Sequence, residues 1–182
     1  MAIKELPSVV RLREVLRYEP ETGKLIWLPR AEEEFSLPQY AVAWNTRFAG
    51  IEAGYLTNKG HRIVGVDRGL FFAHRIIWAM VHGAAPVLEI DHIDQNPDNN
   101  RVNNLREVSH LTNLMNVSMR RDNVSGCMGV TQKASGRWRA NIQADKKWRY
   151  LGTFDSFEEA VQARKQAAEK FGFSANHGRA KA

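Results

Sequence analysis

Apolar positions along this chain change spacing several times, and each change marks an element. Val9, Val10, Leu12, Val15 and Leu16 recur at helical spacing and predict a helix over residues 7–18, closed by the turn chemistry of Glu19-Pro20-Glu21-Thr22-Gly23. Lys24 to Trp27 reads as a strand. Residues 30–48 mix consecutive glutamates, Pro38 and aromatics without a clear period, so the pattern assigns no element there. Residues 54–66 predict a hairpin turning at Asn58-Lys59-Gly60, and a second turn at Asp67-Arg68-Gly69 leads into Leu70-Phe71-Phe72. Ile76, Ile77, Met80 and Val81 then form the inward face of a helix over residues 73–82, stopped by Gly83 and Pro86. A strand over 87–91, an Asn- and Asp-rich loop over 93–104, a strand over 105–109 and a helix from His110 to about Met119 complete this stretch.

Residues 121–126 are polar and contain Asn123 and Gly126, which suits a linker. Beyond them, residues 129–133, 136–142 and 148–154 predict three strands, with turns at Ala134-Ser135-Gly136 and Ala144-Asp145-Lys146. A helix follows: Ser156 is a suitable N-cap, Glu158 and Glu159 suit its first turn, and Ala160, Ala163, Ala167 and Ala168 give it a small-residue face. Alternation along the middle strand sends Trp138, Ala140 and Ile142 to the core and Arg137, Arg139, Asn141 and Gln143 to the other face, which Lys133 extends. Guanidinium and amide groups on such a face can bond phosphates or base edges. The pattern therefore predicts an α+β protein in parts: an N-terminal helix and strand extension (1–53), a central domain (54–120), a linker (121–126), a small three-stranded antiparallel sheet packed on one helix (127–173) and a tail (174–182).

Composition narrows the partners. The 182 residues are 43% apolar, enough for a packed core, and 26 Lys and Arg against 20 Asp and Glu give a net charge of +6, as suits a protein that meets a polyanion. The single cysteine, Cys127, permits no intrachain disulfide and no paired zinc-ribbon ligand set, which points to a reducing setting. No run approaches the roughly 18 apolar residues of a membrane span, and residues 1–10 lack a signal-peptide core. A soluble cytoplasmic protein is expected, with no membrane partner and no small-molecule substrate.

Candidate chemistry concentrates at Asp91-His92, a polar pair at the end of an apolar strand and before a loop crowded with oxygen and nitrogen donors. Phosphodiester hydrolysis needs a base to activate water and a cation to hold the scissile phosphate; Asp91, His92 and Asn113 can supply both. Taken singly, a histidine at a strand end or an Asn-rich loop is more often structural. Asp94, Asn96, Asp98 and Asn103 read as loop formers that satisfy backbone donors. His61, His82 and His177 read as solvent-facing, His74 as a packing residue or one near the phosphate, and Arg75 as a phosphate contact or a surface ion pair.

Asp91-His92, then Asn99-Asn100-Arg101-Val102-Asn103-Asn104-Leu105, then Val108-Ser109-His110 with Asn113, resemble the motif of HNH endonucleases of the phage and intron homing type. Ala73-His74-Arg75 and its apolar helix resemble the segment before that motif, so the likeness spans about residues 54–116. It implies a ββα-metal unit in which His92 is the general base, Asp91 and Asn113 hold the metal, and Asn104 fixes the loop that orients His92. Many members carry histidine where Asn113 stands, and His110, on the same helix face, is the alternative ligand. An oxygen pair favours Mg²⁺, or Mn²⁺, over zinc.

Gly129-Val130 through Trp138, Tyr150-Leu-Gly-Thr-Phe154 and Glu158-Glu159-Ala160 resemble the plant ethylene-response-factor type of DNA-binding domain. That likeness implies DNA contacts by Thr131, Lys133, Arg137, Arg139, Asn141, Trp148 and Tyr150. Thr131 and Ser135 stand where the plant domains commonly have arginine and tryptophan, so base preference does not carry over. The expected function is a metal-dependent endonuclease acting on double-stranded DNA, as a nicking or homing enzyme. The alternatives are a catalytically inactive DNA-binding regulator on the same scaffold and a nuclease acting on RNA. Oligomeric state is not legible.

Overall fold

The computed structural model describes residues 5–120 and 122–179. Residues 1–4, 121 and 180–182, which hold the start of the expected N-terminal extension, the first linker position and the end of the tail, lie outside the described residues. The architecture is α+β, with small antiparallel sheets throughout. The chain divides into two compact units, Met1–Val108 and Ser109–Ala182.

In the first unit, helix α1 (Val9–Val15) is capped by Ser8, whose hydroxyl accepts from the Arg11 amide. The helix does not continue to Tyr18. Leu16–Glu19 is strand β1, paired antiparallel with β2 (Lys24–Trp27) in the register Leu16↔Trp27 and Glu19↔Lys24. The turn at 19–23 closes a hairpin that gives residues 16–19 a backbone ladder while keeping Leu16 and Leu25 buried, an outcome that local period alone does not favour. The segment without a clear period contains helix α2 (Pro38–Phe48), begun by Pro38 at a position whose N–H would be unpaired in any case. Only Ala41 of this helix is buried, which explains its missing apolar stripe. Its Trp44 packs edge-on against Trp27 at a centroid distance of 5.4 Å.

Strands β3 (Tyr55–Leu56), β4 (Arg62–Val66) and β5 (Gly69–Phe72) form an antiparallel sheet in that order. Asp67 and Arg68, at φ 45° and 61°, supply the left-handed pair of a tight hairpin turn. Helix α3 (Ala73–His82) buries Ala73, Ile76, Ile77 and Met80. Val81, expected inward, is 43% exposed, because at 3.6 residues per turn it stands roughly a quarter-turn from the centre of that stripe. Strand β6 (Glu89–His92) begins later than expected and pairs with β7 (Leu105–Val108). Val87 and Leu88 are exposed outside the ladder: the Arg75 guanidinium donates to the carbonyls of Pro86 and Leu88, and the Leu88 amide donates to the Glu107 carboxylate. One apolar cluster runs from Leu12, Leu16 and Leu25 through Val64, Ile76 and Ile77 to Ile90 and Leu105, so the N-terminal elements share a core with the strands after them.

The second unit opens with helix α4 (His110–Leu114), capped by Ser109. It stops well short of Met119. Residues 115–119 instead bond the tail through their backbone, with Ser174 N on Met115 O, Gly178 N on Val117 O and Met119 N on Arg179 O. Strands β8 (Val130–Gln132), β9 (Trp138–Ala144) and β10 (Lys147–Phe154) form an antiparallel sheet with β9 central. Helix α5 (Phe157–Lys170) starts in a capping box between Ser156 and Glu159 and packs on that sheet around Val130, Ala140 and Ala160. Among the described residues, no helix is long and apolar enough to cross a membrane.

Candidate active site

Asp91 and His92 are the last two residues of β6, and both are buried, at 8% and 6% exposure. Arg106 stands directly opposite Asp91 on β7 and donates from Nε at 2.9 Å and Nη2 at 2.8 Å, both to Oδ2. The ion pair is thus a cross-strand pair set by register.

His92 is fixed through Nε2, which lies 3.0 Å from Asn100 Oδ1. The Asn100 amide is oriented in turn, because its Nδ2 donates to Asp98 O at 3.3 Å. An acceptor facing Nε2 places the ring proton there, so the neutral imidazole carries its lone pair on Nδ1. Asn100 is 2% exposed and is buttressed by the N-terminal hairpin. Tyr18 donates its hydroxyl to Asn100 O and accepts from Val102 N, Arg101 Nε donates to Glu21 O, and a Cβ on Gly23 (φ 76°) would lie 2.7 Å from Arg101 N.

Asn104 closes the same loop. Its Oδ1 accepts from Asp94 N, its Nδ2 donates to Asp94 Oδ1 and to Asn99 O, both at 2.8 Å, and its carbonyl accepts from Ile93 N. Burial acts to raise the Asp94 pKa, but bonds from Asn99, the Asn96 amide and Asn104 outweigh it and hold the carboxyl below its usual value. Asp94 and Asn96 also accept from backbone amides two residues on, as loop formers do.

Two further histidines adjoin His92. The His74 ring lies edge-on to it at 5.1 Å and stacks on Phe72 at 5.3 Å; the His61 ring is 6.0 Å from His92 and 5.8 Å from His74. His74 is buried, its Nδ1 has no hydrogen-bond partner among the described residues, and burial first, then His92 and His61, push its pKa down to about 3. His61 is half-buried in this cluster, not solvent-facing, and burial lowers its pKa as well. His177, in the second unit, is likewise half-buried, and burial together with Arg164 brings it to about 4. His82 is exposed.

Of the remaining expected site residues, Arg75 has its donors on two carbonyls of its own unit, and Asn113 and His110 lie on α4 of the second unit. The outer face of the three-stranded sheet aligns Thr131 with Arg139, Asn141 with Tyr150 and Gln143 with Trp148 across strands. Trp148 and Tyr150 are 72% and 64% exposed, while Arg137 pairs with Asp155 at 2.7 Å, and Lys133 is exposed beside it. Sequence reasoning missed Asn100, Arg106 and Tyr18. Antiparallel register would have revealed Arg106, whereas the reach of Tyr18 across more than eighty positions left no local signal.

Among the described residues no three His, Cys, Asp or Glu side chains gather into one metal-binding group. A Mg²⁺ ion, held by one or two carboxylates with several waters, needs no such group, so a carboxylate with an amide oxygen suits its chemistry better than that of zinc.

A family model described as HNH endonuclease matches residues 71–122. Protein 3.8 of Escherichia phage T7 is 32% identical over 87 residues, an alignment that covers 47% of this chain and 72% of that protein. No solved structure matches. Asp91, His92, Asn100, Asn104 and Asn113 all fall within the matched segment, and the chain belongs to the HNH endonuclease family.

Proposed function

We propose that this protein is a divalent-metal-dependent endonuclease that hydrolyses phosphodiester bonds in double-stranded DNA, in a nicking or homing role, with the outer sheet face of its second unit positioning it on the duplex. The observation that carries the reading is His92, buried beside Asp91 inside the matched segment and held through Nε2 by an oriented amide. His92 takes the proton from the attacking water, and the 3′ oxygen leaves. Asp91, with Asn113 or else His110 as the second ligand of a ββα-metal unit, would hold a Mg²⁺ or Mn²⁺ ion, whose charge would offset the negative charge building up on the scissile phosphate and the leaving oxygen. Asn104 ties both ends of the loop that follows His92 and so keeps the base in place. Thr131, Lys133, Arg137, Arg139, Asn141, Trp148 and Tyr150 contact DNA, with Arg75 in reserve as a phosphate contact.

One observation favours the inactive-regulator reading: two hydrogen bonds from Arg106 put a guanidinium on the Asp91 carboxylate, where the other reading needs a metal. Nicking of supercoiled plasmid separates the two. The parent protein is expected to produce open circles with Mg²⁺ or Mn²⁺, and His92→Ala is not. No cleavage by the parent across divalent metals, with DNA binding retained, would establish the regulator. Competition by double-stranded RNA for the same binding would move the substrate class to RNA.

A further inference from the structure

Helix α5, the loop at 126–128 and the tail at 173–179 line an open cavity of about 810 Å³ within the second unit, and the nuclease reading makes no use of it. Arg164 projects from α5 into its wall and is only 6% exposed, yet its Nε has no hydrogen-bond partner and no carboxylate pairs with it among the described residues. Its recorded companion is the Phe173 ring, at 5.4 Å. His177 lines the same cavity, packs edge-on to Phe173 at 4.6 Å, and also leaves its Nδ1 without a partner. Buried guanidinium groups are almost always paired, since desolvating one without an anion is costly.

The chain also makes room for this arginine. Gly129 sits at φ 81°, and a Cβ there would meet Asn141 O at 2.4 Å and Arg164 Nε at 2.9 Å. Lys165 and Arg179 line the cavity too, against the single acid Glu169, while Phe157, Val161 and Phe173 supply apolar wall. A lining that mixes cations with aromatic and apolar groups suits an anion that carries an organic group, and the volume falls in the range of small-molecule sites.

We infer that this cavity is a phosphate-binding site that takes the phosphate of a nucleotide, with the Arg164 guanidinium as its principal donor and Lys165 as a second cation. The phosphate can come from a free nucleotide or from the phosphorylated end of a DNA strand. The site is independent of cleavage, so His92→Ala is expected to keep it.

Calorimetric titration of the full chain at constant ionic strength, with inorganic phosphate, dAMP and a 5′-phosphorylated dinucleotide in turn, tests this. Saturable binding is expected, weakened about tenfold or more in Arg164→Leu, the loss of one charge-assisted contact. Without ligand, Arg164→Leu should melt no lower than the parent, because it removes an unpaired buried charge and keeps an apolar stem. If that variant does not fold, the Arg164 Nε–H resonance of the parent serves instead, and phosphate should shift it. Tighter binding of dAMP assigns the site to free nucleotides, and tighter binding of the dinucleotide assigns it to strand ends. No saturable binding of any of the three, or binding that neither depends on Arg164 nor moves its resonance, would overturn the proposal.

Discussion

Replacing His74 by phenylalanine should make the first unit markedly less sensitive to acid. The folded His74 titrates near 3, because it is buried between Phe72 and His92, whereas an unfolded chain binds the same proton near 6.5. Below pH 6.5 the unfolded state therefore takes up a proton that the folded state refuses. Stability falls by about 1.4 kcal/mol per pH unit until the folded value is reached. Between pH 7.0 and 5.0 this one ring costs about 2 kcal/mol, integrated from the two pKa values. Phenylalanine keeps the stacking on Phe72, carries no proton to refuse, and removes the Nδ1 that has no partner. Urea unfolding at the two pH values should show the parent losing about 2 kcal/mol more than His74→Phe. An NMR titration should find the His74 ring neutral at pH 5. Equal acid losses in the two proteins, or a ring that protonates near pH 6, would refute the argument from burial.

Four other outcomes are expected. His92→Ala should lower plasmid nicking by a factor of about 10² to 10⁴ while leaving DNA affinity unchanged in a gel-shift assay. Asn100→Leu removes the acceptor that selects the His92 tautomer, so kcat should fall with KM little changed, and the lost buried bond should cost about 1–3 kcal/mol in a thermal melt. Arg139→Ala should weaken binding to all DNA sequences and reduce the slope of log affinity against log salt by about 0.9 if it contacts one phosphate. Ser156→Ala breaks the capping box of α5 and should cost about 1 kcal/mol, read from the melting temperature.

Where local chemistry dictates structure, the sequence was legible. The tight turns at Asp67-Arg68 and Asp145-Lys146, the span of α3 and the capped start of α5 follow from residue type and period alone. Elements decided by distant partners were not. Residues 16–19 carry a helix-like period yet form a strand because Lys24–Trp27 is there to pair with them, and residues 115–119 leave the helical path because the tail supplies their backbone partners. Helix α2 has one buried residue and so offers no stripe to read. At the site, Asp91 and His92 stood out as polar residues ending an apolar strand. Asn100 was hidden among the asparagines of its loop, and the burial of His61 and His74 depends on three segments meeting.

The β1–β2 hairpin also bears on how this nuclease can be moved or trimmed. The family match begins at residue 71, and a designer would be tempted to graft from there. Yet Tyr18, Glu21 and Gly23 hold the very loop from which Asn100 reaches His92. The smallest transplantable cassette therefore begins ahead of α1. A graft that starts at the motif would carry Asp91, His92 and Asn100 but leave behind the hairpin that braces the Asn100 loop.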